Sequence, residues 1–200
     1  MNSPFSALLL AGGRSSRMGT DKAFLMIDGE PLWRRQVRML EELQPQELFL
    51  AGPQRPEWSD YTVITDERPH AGPVPVVASA LRLCATPLLL VLAVDLPRMT
   101  ADYLRTLLDG AVPRGQPLCA VYPREAAPLA DNCESMQQFA SRCAAAGLVR
   151  LLDVSPADEH LFFNLNTPAD LQQLPADASR KGRKGSQRKN ICTTCSPLRP

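Results

Sequence analysis

Residues 88–94 are seven consecutive apolar residues, and this run restricts the fold of the chain more than any other feature. A strand in which every side chain is apolar has no polar face to turn toward water. Such strands lie inside parallel sheets, where helices cover both faces. Because Asp95 follows the run directly, the sequence predicts a carboxylate at the carboxyl end of a central strand.

Shorter apolar runs alternate with helical patterns along the rest of the chain. Strands are predicted at residues 7–11, 47–51, 62–65, 88–94, 118–122, 149–154 and 161–165. Helices are predicted at residues 31–43, 74–84, 100–108 and 131–146, and again from Pro168, with Thr167 as the N-cap. Alternation of this kind indicates βαβ units. We therefore predict an α/β fold, a three-layer sandwich with a mostly parallel sheet, in a single domain that covers residues 1–177.

A loop dense in glycine and basic residues follows the first predicted strand. Its members are Gly12, Gly13, Gly19, Arg14, Arg17 and Lys22. Glycine lets the main chain approach an anion closely, and successive N–H groups in such a turn bind phosphate oxygens. The spacing fits neither the Walker A loop nor the G-x-G-x-x-G fingerprint. We predict a triphosphate cradle of another kind, and the alternative is an ordinary surface loop.

Polar residues from four distant segments fall at the carboxyl ends of the predicted strands, where open parallel sheets bind ligands. Asp95 is the predicted catalytic metal ligand, because Mg²⁺ is typically held by one or two carboxylates together with substrate phosphates. The alternative is that Asp95 caps the turn before Thr100. Arg17 and Lys22 are the predicted catalytic cations that neutralise phosphate charge, although Lys22 could instead be a solvated partner of Asp21.

The run L-A-G-G-R-S-S-R-M-G-T-D-K at residues 10–22 resembles the signature of the molybdenum cofactor guanylyltransferases. These enzymes belong to the wider nucleotidyltransferase group, and the resemblance implies a Rossmann-like fold. Further matching segments follow in family order at residues 65–66, 72–73, 94–97 and 163–168. The resemblance implies nucleotide contacts from Leu10, Ala11, Gly12, Gly13, Lys22, Asp66 and Asp95.

The resemblance also implies the reaction and its substrates. GMP would pass from GTP to the phosphate of molybdopterin, with release of pyrophosphate and with Mg²⁺ as cofactor. Asn164 and Asn166 would bind molybdopterin; on an extended segment their side chains point the same way, and uncharged amides suit a pterin or its phosphate. The alternative for these two residues is a turn before Thr167. Asp66 would contact the base or sugar, or else accept turn N–H groups.

Two other classes of function stay open at this point. One is a related transferase, either a cytidylyltransferase or an enzyme that acts on a sugar phosphate. The other is a non-catalytic module that binds nucleotides or nucleic acid. No nucleophile signature of the G-x-S-x-G or cysteine–histidine type is present, which favours direct in-line transfer. Molybdoenzyme apoproteins or cofactor-insertion proteins are the expected protein partners.

Composition predicts where the protein is located in the cell and the nature of its C-terminal segment. The chain has no membrane-length apolar stretch and no signal-peptide pattern, so we expect a cytoplasmic protein. Residues 178–200 hold seven basic residues and no acidic ones, which leaves 15 basic and 21 acidic residues elsewhere. This composition predicts a disordered basic tail, solvated rather than bound to nucleic acid. Cys192 and Cys195 form a C-x-x-C pair without further nearby ligands, so we expect no metal site there.

Overall fold

The computed structural model describes residues 3–12, 21–65 and 72–174, and these contain a central sheet with helices on both faces. The strands are β1 (Phe5–Leu10), β2 (Met26–Ile27), β3 (Glu30–Pro31), β4 (Leu48–Ala51), β5 (Thr62–Ile64), β6 (Leu88–Ala93), β7 (Ala111–Pro113), β8 (Cys119–Pro123) and β9 (Arg150–Leu152). The α-helices are α1 (Leu32–Glu41), α2 (Val74–Leu83), α3 (Ala101–Arg105), α4 (Met136–Ala145) and α5 (Pro168–Leu171). Short 3₁₀-helices cover Lys22–Phe24, Pro56–Trp58, Arg124–Ala130 and Glu159–Phe162.

The central sheet has the strand order β5-β4-β1-β6-β8 and is parallel except for β8, which runs antiparallel to β6. The predicted α/β class and mostly parallel sheet are therefore confirmed. Leu10 pairs with both Ala51 and Ala93, so β1, β4 and β6 reach their carboxyl ends at the same level. Loops that leave these three strands consequently start side by side.

Alternate side chains of the central strands enter two separate apolar layers. Ala7 and Leu9 of β1 belong to the layer that contains the apolar faces of α1 and α3. Leu8 and Leu10 belong to the opposite layer, which contains those of α2 and α4. Burial of one leucine side chain stabilises a fold by about 1.5–3 kcal/mol, which explains why an all-apolar strand is favoured here.

The prediction of a last strand at residues 161–165 is wrong. A 3₁₀-helix covers Glu159–Phe162, and residues 163–166 are outside any strand. Both edges of β6 are already occupied by β1 and β8, so no position beside it is open for a further parallel strand. Leu161, Phe162 and Leu165 are instead buried in the apolar layer that contains the apolar faces of α1 and α3.

Several predicted helix bounds also differ from those observed. The helix predicted at 131–146 begins only at Met136, where the Ser135 side chain accepts a hydrogen bond from the N–H of Gln138. The helix predicted at 100–108 is the shorter α3, whose N-cap is Thr100. The β2–β3 hairpin and β7 were not predicted, because two- and three-residue strands leave too little pattern to detect.

The predicted basic tail and the prediction that no segment crosses the membrane have different outcomes. The basic tail at 178–200, with Cys192 and Cys195, lies outside the described residues. Among the helices within the described ranges, none has the length and apolar character required to cross a membrane.

Candidate active site

Lys22, Asp95 and Asn166 meet beyond the carboxyl ends of the sheet, although they are far apart in sequence. Nζ of Lys22 lies 2.8 Å from Oδ1 of Asn166 and 3.3 Å from Oδ2 of Asp95. The Lys22 and Asp95 side chains are 21% and 25% exposed, so solvent and substrate can both reach them. The cluster contains a cation, an anion and a neutral amide, which together suit a ligand with both phosphate and hydrogen-bonding groups.

The position of Lys22 is determined by its predecessor, Asp21. Oδ1 of Asp21 accepts a hydrogen bond from the N–H of Ala23, which begins the 3₁₀-helix Lys22–Phe24. The other carboxylate oxygen pairs with Arg55, whose guanidinium lies 4.6 Å from the centre of the Phe24 ring. The ammonium of Lys22 itself contacts Asp95 and Asn166, so the alternative that Lys22 is a solvated partner of Asp21 is wrong.

Asp95 extends β6 by main-chain bonds that continue beyond the strand. The N–H of Val94 donates to the carbonyl of Leu10 over 3.1 Å, and the N–H of Leu165 donates to the carbonyl of Asp95 over 2.9 Å. The side chain of Asp95 is thereby directed to Lys22. The alternative that Asp95 caps the turn before Thr100 is wrong, because the hydroxyl of Thr100 itself accepts from the N–H of Tyr103.

The segment that carries both asparagines is held by a capping box. Oδ2 of Asp170 accepts the N–H groups of Asn166 at 2.8 Å and of Thr167 at 2.7 Å. Asn164 and Asn166 are both exposed and Leu165 is buried, as the alternation predicted. Only Asn166 of this pair contacts Lys22 in the described part of the chain. The amide of Asn164 donates to the carbonyl of Phe162 over 3.2 Å, a local contact.

The two main-chain donors hold the pKa of Asp170 below its ordinary value, with the N–H of Asn166 making the largest contribution. A lowered folded-state pKa means that the ionised carboxyl stabilises the folded segment at any pH above the unfolded value of about 3.9. This stabilisation is lost as the pH falls through the lower folded value. We expect NMR titration of the Asp170 carboxyl to give a pKa below that of an unfolded peptide. An equal or higher pKa would contradict the capping box.

Gly12 lies where the main chains of two neighbouring strands come close together. A Cβ placed on Gly12 would lie 2.8 Å from the Cα of Gly52 and 3.3 Å from the carbonyl oxygen of Ala51. The N–H of Ala11 already donates to that same carbonyl over 3.0 Å. Glycine is therefore required at position 12 because a main chain, which cannot rotate away as a side chain does, occupies the space.

The variant G12A is expected to weaken the fold and, with it, the GTP binding that the sequence resemblance implies. Overpacking of this kind typically costs about 1–3 kcal/mol of unfolding free energy, and the displaced main chain would move the start of the glycine-rich loop. Thermal unfolding and GTP titration measure the two effects. As a control, G115A changes a glycine with a φ of +76° that has no atom within 4 Å of its added Cβ. G115A is expected to lower stability through backbone strain and to leave GTP affinity unchanged; equal weakening of GTP binding in both variants would contradict the argument.

The remaining predicted nucleotide-binding residues have different outcomes. Gly13 and Asp66 lie outside the described residues, as does the predicted catalytic cation Arg17. Leu10 and Ala11 are 9% and 2% exposed, so any contact that they make with a nucleotide has to come from the main chain.

Three of the described thiols are buried, and the described ranges contain no preformed multidentate metal site. Burial raises the pKa values of the Cys84, Cys119 and Cys143 thiols, so these groups stay protonated at neutral pH. Within residues 3–12, 21–65 and 72–174, no three His, Cys, Asp or Glu side chains converge. A single part-buried carboxylate such as Asp95 fits Mg²⁺, which keeps several waters and takes its other ligands from substrate phosphates.

Comparison with known proteins gives a consistent family assignment. Residues 7–186 match the family model described as the MobA-like NTP transferase domain. The chain is 33% identical over 188 residues to a protein of Opitutus terrae named probable molybdenum cofactor guanylyltransferase, covering 84% of this chain and 93% of the relative. It is 31% identical over 186 residues to the molybdenum cofactor guanylyltransferase of Xanthomonas euvesicatoria pv. vesicatoria, covering 86% and 94% of the two chains.

Solved structures with a similar fold include two that illustrate the likeness. A nucleotidyl transferase from Methanothermobacter thermautotroptrophicus superposes with a TM-score of 0.70 at 17% identity, covering 85% of this chain and 95% of that one. The molybdopterin-guanine dinucleotide biosynthesis protein A from Archaeoglobus fulgidus superposes with a TM-score of 0.66 at 20% identity, covering 84% and 95%. At these identities the likeness establishes the fold, which is Rossmann-like as the sequence resemblance implied.

Proposed function

Because the chain belongs to the MobA-like NTP transferase family, we propose that it transfers GMP from GTP to the phosphate of molybdopterin. An oxygen of the molybdopterin phosphate forms a bond to the α-phosphorus of GTP. The bond from that phosphorus to the bridging oxygen breaks, and pyrophosphate leaves with the electron pair. The product is the guanine dinucleotide form of the cofactor. The observation that carries the proposal is the cluster of Lys22, Asp95 and Asn166 at the carboxyl ends of the sheet.

The proposal assigns the cationic side of the cluster to GTP. Lys22 has a compact ammonium group that neutralises the triphosphate and the charge that grows on departing pyrophosphate. Main-chain N–H groups around Gly12 and Gly13 would bind phosphate oxygens, and Arg17 would add a second cation. Asp66 would contact the base or the sugar. Such a transfer needs positioning and charge neutralisation rather than a protein nucleophile.

Asp95 is proposed to hold Mg²⁺ together with phosphate oxygens of GTP. When bound, this ion supplies positive charge that stabilises the transferring phosphoryl group. Lys22 contacts the Asp95 carboxylate directly. With Asp95 holding the ion, Lys22 would contribute its ammonium group to the triphosphate.

The neutral side of the cluster is proposed to bind molybdopterin. Asn164 and Asn166 lie on the same exposed side of their segment and offer both amide donors and carbonyl acceptors. Molybdoenzyme apoproteins or cofactor-insertion proteins are the proposed recipients of the product. The free thiols of Cys84, Cys119, Cys133 and Cys143 fit a reducing compartment, and the cytoplasm is the proposed location.

A screen of the four nucleoside triphosphates tests the proposed reaction. Each is incubated with Mg²⁺ and molybdopterin, pyrophosphate release is measured, and the dinucleotide product is identified by mass spectrometry. We expect GTP to support transfer far better than CTP, ATP or UTP. Reactions without molybdopterin or with EDTA serve as controls. Equal turnover of GTP and CTP would contradict the guanylyl assignment, and pyrophosphate release that does not depend on molybdopterin would contradict the assigned acceptor.

A further inference from the structure

We propose that Gln36 is a positioning residue that sets the orientation of Asp95, an inference that rests on the proposed function of Asp95. Gln36 lies on α1 and is 2% exposed, although its side chain is polar. Its amide nitrogen Nε2 donates to the carbonyl oxygen of Leu96 over 2.8 Å and to that of Val94 over 3.4 Å. These two residues flank Asp95, so a single amide binds the main chain on both sides of the carboxylate.

The Val94 carbonyl lies beyond the end of the strand pairing and accepts from the Gln36 amide, whereas the Leu96 carbonyl accepts both the Gln36 amide and, over 3.1 Å, the N–H of Met99. The pairing of β6 with β1 ends at Ala93, whereas Val94 and Leu96 remain buried at 6% and 3% exposure. A buried carbonyl without a donor is unfavourable. The Gln36 amide has two N–H bonds on one nitrogen and can serve both acceptors. Its burial on an otherwise apolar helix face is thereby explained.

The main chain around Asp95 is held from three separate elements. β1 accepts through the Leu10 carbonyl, α1 donates through Gln36, and the segment after the last 3₁₀-helix donates through the N–H of Leu165. An aspartate side chain is short, so its oxygens follow any rotation of the neighbouring peptide planes. Loss of the Gln36 contacts would therefore move the carboxylate relative to the substrate phosphates and to the ion that it is proposed to bind.

The variant Q36M removes both donors and keeps nearly the same side-chain length and volume. Partners that orient a metal ligand typically change metal affinity or activity by about 10–100-fold when lost, and we expect Q36M to weaken Mn²⁺ binding to the GTP complex by a factor in this range. Electron paramagnetic resonance of added Mn²⁺ measures this affinity without any turnover. GTP affinity measured in EDTA is expected to stay unchanged. The variant Q36N, whose shorter side chain withdraws the nitrogen from both carbonyls, is expected to act in the same direction.

A second buried polar pair provides the matched control. Ser6 and Thr86 are 0% and 2% exposed, and their hydroxyl oxygens lie 2.7 Å apart near the amino end of β1, opposite Asp95. The variants S6A and T86V are expected to lower the melting temperature without changing Mn²⁺ affinity. This comparison separates a positioning effect at Asp95 from a general loss of stability.

Each outcome decides the proposal. Wild-type Mn²⁺ affinity and kcat in folded Q36M would overturn it and leave the transfer reaction intact, and Q36N decides the same point if Q36M does not fold. Weaker Mn²⁺ binding in S6A as well as in Q36M would also overturn it. If the wild-type protein transfers nothing to molybdopterin, the proposed function fails, whereas the Mn²⁺ measurement still decides whether Gln36 positions Asp95.

Discussion

The variant D95N is expected to lower kcat about 10²–10³-fold, the usual loss when a group that stabilises transition-state charge is removed. Asparagine has nearly the shape of aspartate, and the side chain is only partly buried, so the sheet should pack as before. The variant loses the negative charge that faces Lys22 and that is proposed to hold Mg²⁺. The measurement is kcat at saturating GTP over a range of Mg²⁺ concentrations, with circular dichroism as the test of folding.

The control for D95N is an aspartate with a similar ion pair away from the sheet end. Asp102 on α3 is 93% exposed and pairs with Arg105 one helical turn away. The variant D102N removes the same charge from the chain as D95N does, and we expect it to turn over at the wild-type rate. Near wild-type kcat in D95N at saturating GTP would exclude Asp95 as the metal ligand.

The central sheet could be predicted because its signal is local. Residues 88–94 are apolar without interruption, and both neighbouring strands in the sheet are also buried, so one pattern indicates strand type, burial and position together. The helices that cover the sheet show apolar residues at helical spacing. Both features depend only on which residues are apolar and on how they are spaced along the chain, and both can be read from the sequence.

The segment at residues 161–165 could not be predicted correctly for a reason that is not local. Its apolar residues fit a strand, but a strand needs an open edge beside it. β1 and β8 occupy both edges of β6, and that arrangement follows from the antiparallel return of β8. The order of strands in the sheet is a property of the whole chain, so a short apolar run cannot reveal it.

The convergence of Lys22, Asp95 and Asn166 at one edge of the sheet was predictable from the sequence, but the contacts among them were not. Topology alone indicates that Lys22, Asp95 and Asn166 lie near one edge of the sheet. The sequence does not show whether Lys22 binds Asp21 or Asp95. In the structure Arg55, from a different loop, pairs with Asp21. Gln36 did have a detectable signal, since it is a polar residue within the apolar stripe of α1. Its structural role becomes clear only from the contacts that Gln36 makes with the carbonyls on both sides of Asp95.

The variant K22A is expected to raise the GTP concentration needed for half-maximal rate more than tenfold. A lost hydrogen bond to a charged group typically costs about 1.5–3 kcal/mol. Lys22 lies beside Asp95, where the triphosphate is proposed to bind. N166A is expected to raise the molybdopterin requirement by a similar factor, because Asn166 is assigned to the neutral side. Separate titrations of GTP and molybdopterin for each variant measure the two effects. An N166A variant that raised the GTP requirement alone would reverse the assigned sides of the site.

The 2.8 Å contact between Lys22 and Asn166 predicts that these two effects are not independent. Residues in direct contact typically show interaction energies of about 0.5–3 kcal/mol in a double-mutant cycle, so the effects of K22A and N166A on either substrate should not multiply in the double variant. N164A is the matched control, because Asn164 lies on the same segment but donates to Phe162 rather than contacting Lys22. The effects of K22A and N164A should therefore multiply. If both pairs multiply equally well, the contact does not link the two substrate sides, and Lys22 and Asn166 act on their substrates separately.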